Sequence, residues 1–357
     1  MYSQLYKVVS SLNSSRKMQA WLEINCSHVS NSASVLLMED IGYGIVIPII
    51  CSTGILLNIL NMIVLFRRPL NTSLIHTYLG IIALTDLVTL AIVAPIGFAR
   101  DKSTNIPLSA VVYEVYIYMP LANTSASTSI WLTTVATIER FMMVSRNGPS
   151  KAPSPKRAWI SMGCVATASF FINMPYFFTN IIFDRQIYLT HFGGGDGFQL
   201  YSWIRFSIIV YLPMGLIIIF NTLLLKSVWL ANKKRCTMLK NSMDYQKVKY
   251  QIRLSALLIA VSFTFVLCHM PESFTHPGII TTLKGPCGNI MDSTKILRFV
   301  ANVLEMLSYS YQFVLYVTCN DQFRKCFLRT LQTCSTRCQK NRIHVENPQI
   351  EGAPSVS

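Results

Sequence analysis

Seven apolar stretches run through this chain, at about 43–66, 74–99, 108–143, 158–182, 203–230, 252–277 and 296–318. A helix that crosses a bilayer needs about 20 mostly apolar residues, and each stretch is broken only by isolated polar ones. The pattern predicts an all-α membrane protein, a seven-transmembrane helix bundle over residues 43–318. An extracellular tail, 1–42, precedes it. A short amphipathic eighth helix and a cytoplasmic tail, 319–357, follow. Composition agrees, with 52% apolar and 13% charged residues, where soluble domains carry about 25% charge. The mean hydropathy is +0.41.

Charge sets the orientation. Of the 31 Lys and Arg, 21 fall on one side of the expected membrane: Arg67, Arg68, Arg140, Arg146, Lys151, Lys156, Arg157, the run from Lys226 to Arg253, and the run from Arg324 to Arg342. Basic loops stay cytoplasmic, so the N-terminus is expected outside and the C-terminus inside, in the plasma membrane. The net charge of +15 then faces anionic lipid rather than nucleic acid. Residues 1–42 hold no long apolar core, so the first span is expected to serve as its own insertion signal. Asn13 and Asn25 open glycosylation sequons on the expected outer side. Cys26 and Cys287 are the two cysteines expected there, either bonded to each other or free thiols. Cys326, Cys334 and Cys338 follow the last span beside basic residues, a setting that suits palmitoylation.

Motifs in order carry a resemblance. Gly54-Ile55-Leu56-Leu57-Asn58 lies in the first span, Ala83-Leu84-Thr85-Asp86 in the second, and Glu139-Arg140-Phe141 ends the third. Trp159 opens the fourth and Pro213 interrupts the fifth. Phe265 to Pro271 marks the sixth, and Gln312-Phe313-Val314-Leu315-Tyr316, then Phe323-Arg324-Lys325, closes the series. The chain resembles the rhodopsin-like (class A) G-protein-coupled receptors, and within them the invertebrate FMRFamide-type neuropeptide receptors, on Asn58–Leu65, Trp131–Arg140, Phe313 and Phe323–Lys325. Departures are visible. Val115 stands where the family has a cysteine, and residues 183–202 contain none. His269 replaces the usual tryptophan of the sixth-span motif, and Gln312 the asparagine of the seventh.

The resemblance implies roles for the polar residues within the spans. Asp86 must face the bundle, because lipid cannot solvate it. Its implied partners are Asn58, Ser129, Ser308 and Gln312, a hydrated cluster for an allosteric sodium ion or a polar network that fixes packing. Glu139 and Arg140 are the implied activation switch, paired at rest, with snorkelling to the interface as the alternative. Tyr316 belongs to the same switch. Pro213 and Pro271 each remove a helical hydrogen bond and permit a bend.

The ligand site is read from spacing. His269, Glu272 and His276 share a face of the sixth helix, as Arg298, Asn302 and Glu305 do on the seventh. Arg205 lies near the outer end of the fifth. Two buried carboxylates suit a cationic ligand such as the arginine of an amidated peptide. The alternative is that Arg205 neutralises Glu272 and Arg298 neutralises Glu305. Ala122 stands where amine receptors carry aspartate and Met306 where opsins carry lysine, so a peptide is the expected ligand. The runner-up is a chemosensory or small-molecule receptor. A transporter is the rival class, without the internal symmetry transporters show. No catalytic constellation or phosphate-binding loop appears, so no enzyme and no cofactor beyond sodium is expected. The implied partners are a heterotrimeric G protein, membrane lipids, and arrestin with a receptor kinase. Lys233, Lys234, Arg235, Lys240, Lys247, Lys249 and Arg253 offer a basic inner surface.

Overall fold

The computed structural model describes Val35 and residues 37–99, 107–145, 154–183, 186–238, 242–275 and 292–332. In lipid every backbone N–H and C=O must be satisfied within its own segment, which leaves an apolar stretch only the helix. Helix α1 runs through Met38–Val46 and Ile47–Leu65, and α2 through Leu74–Ala99. Helix α3 joins Leu108–Tyr113, Glu114–Ala122 and Asn123–Ser145. Helix α4 is Lys156–Asn173, tightened into a 3₁₀ turn at Met174–Phe178. Helix α5 joins Asp196–Phe206, Ser207–Tyr211 and Leu212–Met238. Helix α6 is Ser242–His269, with a 3₁₀ turn at Pro271–Phe274. Helix α7 joins Asp292–Ser310 and Gln312–Cys319, and the short α8 occupies 321–332.

The seven-helix bundle is inside out relative to a soluble protein. Leu56, Ile160, Phe171, Leu225 and Phe263 are exposed, while Asn58, Asp86, Thr134, Ser255 and Gln312 are buried. Only lipid makes that arrangement favourable, and the chain is a multi-pass membrane protein. Among the described residues, α1, α2, α4, α5 and α6 are long and apolar enough to cross by composition alone. The other two, α3 and α7, carry more polar residues along their length and fall short of that composition. Helix α3 touches α2, α4, α5 and α6, and its hydroxyls bond backwards along the helix: Thr133 to the Ser129 carbonyl at 3.0 Å, Thr137 to the Thr133 carbonyl at 2.8 Å. That local bond removes the cost of a hydroxyl without water.

Three stretches widen into π-helix, and each adjoins or contains a proline. Pro48 follows Met38–Val46, Pro120 lies within Glu114–Ala122, and Pro213 follows Ser207–Tyr211. The proline ring clashes with the carbonyl four residues back, and an i→i−5 register relieves the clash without ending the helix. At Pro271 the opposite happens. Met270 N–H makes the last regular bond, to the Val266 carbonyl at 2.9 Å, and the chain then tightens.

The ends of the spans differ from the sequence expectation. The fourth stops at Phe178, and its expected tail is strand β1 (Asn180–Phe183), antiparallel to β2 (Gln186–Leu189) with Asn180 opposite Leu189. The glycine run Gly193-Gly194-Gly195 follows the hairpin as part of an ordered turn. Gly193 N–H donates to Thr190 Oγ1 at 2.9 Å, and a Cβ there would lie 2.2 Å from the Thr179 carbonyl oxygen. Asn180 also reaches Met119 Sδ of α3 at 3.4 Å. That one polar contact joins the hairpin to α3 four residues from Val115, where the family has a cysteine.

Candidate functional site

Three polar clusters line the bundle. The first is built by the break in α6. His269 ends the α-helical part and Glu272, three residues on in the 3₁₀ turn, shares its face. Glu272 Oε2 lies 3.2 Å from His269 Nδ1. From α7, Ser308 Oγ lies 3.0 Å from His269 Nε2. The Ser308 hydroxyl donates its one proton to the Glu305 carbonyl at 2.7 Å, so Nε2 must be the donor in its contact with Ser308. Tyr309 OH donates to Glu305 Oε1 at 3.1 Å. A ligand nitrogen of His269 and carboxylate oxygens of Glu272 and Glu305 all lie within 4.8 Å of one another. His269 is 1% exposed, wedged between the rings of Phe265 and Tyr309, while both glutamates are half-buried.

Asp86 centres the second cluster. Its two carboxylate oxygens accept from Ser129 Oγ at 2.5 Å and from Gln312 Nε2 at 2.6 Å. Gln312 Oε1 in turn accepts from Tyr316 OH at 2.9 Å. The result is a line of bonds from α7 through α2 to α3. The set expected for sodium does not assemble. Asn58 donates to the Gly54 and Tyr309 carbonyls, and Ser308 belongs to the His269 cluster. Of the four implied partners, Ser129 and Gln312 are the two that reach Asp86, each as a donor.

The third cluster is at the far end of α3. Arg140, 2% exposed, donates from Nε and Nη2 to Ser255 Oγ of α6 at 3.0 and 2.8 Å. Glu139 does not pair with Arg140 as expected. Adjacent helical residues point to different faces, and Glu139 instead takes Arg157 of α4 at 2.8 Å. Tyr316, fully buried, packs on Phe323 of α8. At this end Arg253 of α6 and Arg324 of α8 both pair with Asp321.

Other sequence-stripe residues have structural partners. Arg205 does not neutralise Glu272. It ties three helices, donating to Asn173 of α4 at 2.8 Å and Asn123 of α3 at 2.7 Å, and lies over the Tyr176 ring. Glu305 bonds Tyr309 rather than Arg298. Asn302 donates to Tyr43 OH of α1 at 3.0 Å. Ala122 is buried in an apolar cluster with Leu90, Met306 and Tyr309. Cys326, read as a palmitoylation site, is buried among Val64, Leu65 and Phe323, its thiol toward the Val64 carbonyl, and is not available to an acyl group. Asn13, Asn25, Cys26, His276, Cys287, Cys334 and Cys338 lie outside the described residues. Sequence reasoning missed Ser255, Arg157 and Tyr309. A serine in an apolar helix ordinarily bonds its own backbone, so nothing in the sequence marks Ser255 as the partner of Arg140.

A transmembrane seven-helix bundle with a polar interior and an arginine latched between α3 and α6 defines a class of receptor. The profile of the seven-transmembrane receptors of the rhodopsin family matches residues 57–314, and the chain belongs to that family. It is similar to two probable G-protein coupled receptors of Caenorhabditis elegans. One is 26% identical over 87% of this chain and 73% of its own length. The other is 25% identical over 82% and 76%. A sex peptide receptor-related protein of the same organism is 20% identical over 81% of this chain and 71% of its own. The chain is a receptor rather than an enzyme.

Proposed function

We propose that this receptor sits in the plasma membrane with its N-terminus outside, binds a short cationic, C-terminally amidated peptide at the Glu272 end, and activates a heterotrimeric G protein at the Arg140 end. The observation that carries this reading is the pair of half-buried carboxylates, Glu272 and Glu305, around the single imidazole of His269. Two carboxylates there face one imidazole. A guanidinium matches a carboxylate with two parallel hydrogen bonds, a geometry an ammonium cannot supply. Three further features support it. The basic residues gather at the Arg140 end, one relative is named for a peptide receptor, and the motifs resemble FMRFamide-type receptors.

The test is G-protein activation in cells expressing the full chain, with amidated peptides carrying either arginine or its neutral isostere citrulline. Glu272→Gln keeps shape and removes charge. It should weaken the arginine peptide by about a hundredfold, the scale of losing one partner of a desolvated charge pair, and barely affect the citrulline peptide. Equal losses would make Glu272 structural. Activation by a small molecule, with amidated peptides silent, would replace the ligand class.

A further inference from the structure

We infer that His269, Glu272 and Glu305 form a zinc site that clamps α6 to α7. Three observations converge on it. The first is spacing. Zinc held tetrahedrally at about 2.0–2.1 Å separates its donor atoms by about 3.3 Å. His269 Nδ1 and Glu272 Oε2 already stand 3.2 Å apart, and a ring nitrogen of His269 and one carboxylate oxygen each of Glu272 and Glu305 lie within 4.8 Å of one another, so the side chains must draw closer around the ion.

The second is orientation. A metal-binding histidine is normally fixed by the hydrogen bond of its other ring nitrogen. Here the Ser308 hydroxyl, its proton given to the Glu305 carbonyl, takes Nε2–H and leaves Nδ1 facing Glu272. Tyr309 OH does the same for Glu305 by holding Oε1. The third is coordination chemistry. One imidazole and two carboxylates suit zinc, whereas magnesium and calcium prefer oxygen alone. Three protein ligands leave a fourth position open to water or to a donor atom of a ligand. Because two ligands sit on α6 and one on α7, the bound ion ties the outer parts of those helices together.

Zinc and a guanidinium would compete for these carboxylates, so the site is tested apart from the peptide reading, with zinc measured on the purified, peptide-free receptor in lipid nanodiscs. Zinc chloride titrated calorimetrically should bind saturably at one ion per receptor and raise the melting temperature of the wild-type protein. Glu305→Gln and Glu272→Gln, each confirmed as folded by its own melting curve, should weaken zinc more than a hundredfold. Ser308→Ala should cost about ten- to a hundredfold, as loss of an orienting partner does. His191→Ala removes an exposed histidine and should change nothing. Absence of saturable zinc binding and stabilisation in the wild type would overturn the site, as would wild-type affinity in Glu305→Gln.

Discussion

At the residue scale, the charged groups fall into those a sequence can mark and those it cannot. Arg140 and Asp86 stand out, because a charge in an apolar helix demands a partner. Their partners do not stand out. Ser255 is one hydroxyl among many, and the pairing of Glu139 with Arg140 came from the resemblance, whereas a helix turns neighbours apart. Arg140→Ala should abolish agonist-driven G-protein activation while leaving surface expression near wild type and peptide binding no weaker, since Arg140 touches α6 at Ser255, about 25 Å along the helix from Glu272. Full signalling by an expressed mutant would remove that role. For Asp86 the structure redirects the expectation. Its oxygens already take Ser129 and Gln312, and Asp86→Asn offers a donor to one of two donors. It should lower stability by about 1–3 kcal/mol, read as a fall in melting temperature, and replacing sodium by choline should leave wild-type agonist affinity unchanged. A sodium-dependent affinity lost in the mutant would restore the ion.

At the element scale, helix existence was legible and helix ends were not. The seven apolar runs had the length a bilayer dictates, so they were readable without any pairing information. The fourth run was extended too far because Asn180–Phe183 is as apolar as the helix before it, and hydropathy cannot tell a hairpin strand from the last turn of a span. The glycines were legible only as freedom, yet two are required by contact. Gly54 lets α1 lie against α2 and α7: a Cβ there would come within 2.2 Å of Ser310 Oγ and 2.6 Å of Leu90 Cδ1. Leu90 is buried and has no room to move away. Gly54→Ala should therefore overpack the α1–α2–α7 junction and destabilise by about 1–3 kcal/mol, measured as a lower melting temperature. Gly163→Ala, where a Cβ meets nothing within 4 Å, is the matched control and should not lower it. Equal effects of the two would mean that helix propensity, not packing, governs both.

At the scale of the whole molecule, α6 is the member that joins both ends. It carries Ser255, held by Arg140, and the His269–Glu272 pair that faces α7. A stiff helix with a contact at each end can hold two positions, and a ligand that prefers one of them shifts the balance. Coupling of this kind is reciprocal: if agonist at Glu272 loosens the Arg140–Ser255 bond, loosening that bond must raise agonist affinity by the same factor. Ser255→Ala removes the acceptor for two arginine donors without adding bulk, and Ser255 is far from any ligand contact. It should raise ligand-independent G-protein activation. It should also tighten agonist binding about 5- to 150-fold, the range of common coupling energies, in membranes stripped of G protein so that only the receptor's own equilibrium is read. Higher basal signalling with unchanged agonist affinity would mean the latch gates the G-protein face alone, and that α6 does not carry the ligand's signal between the two ends.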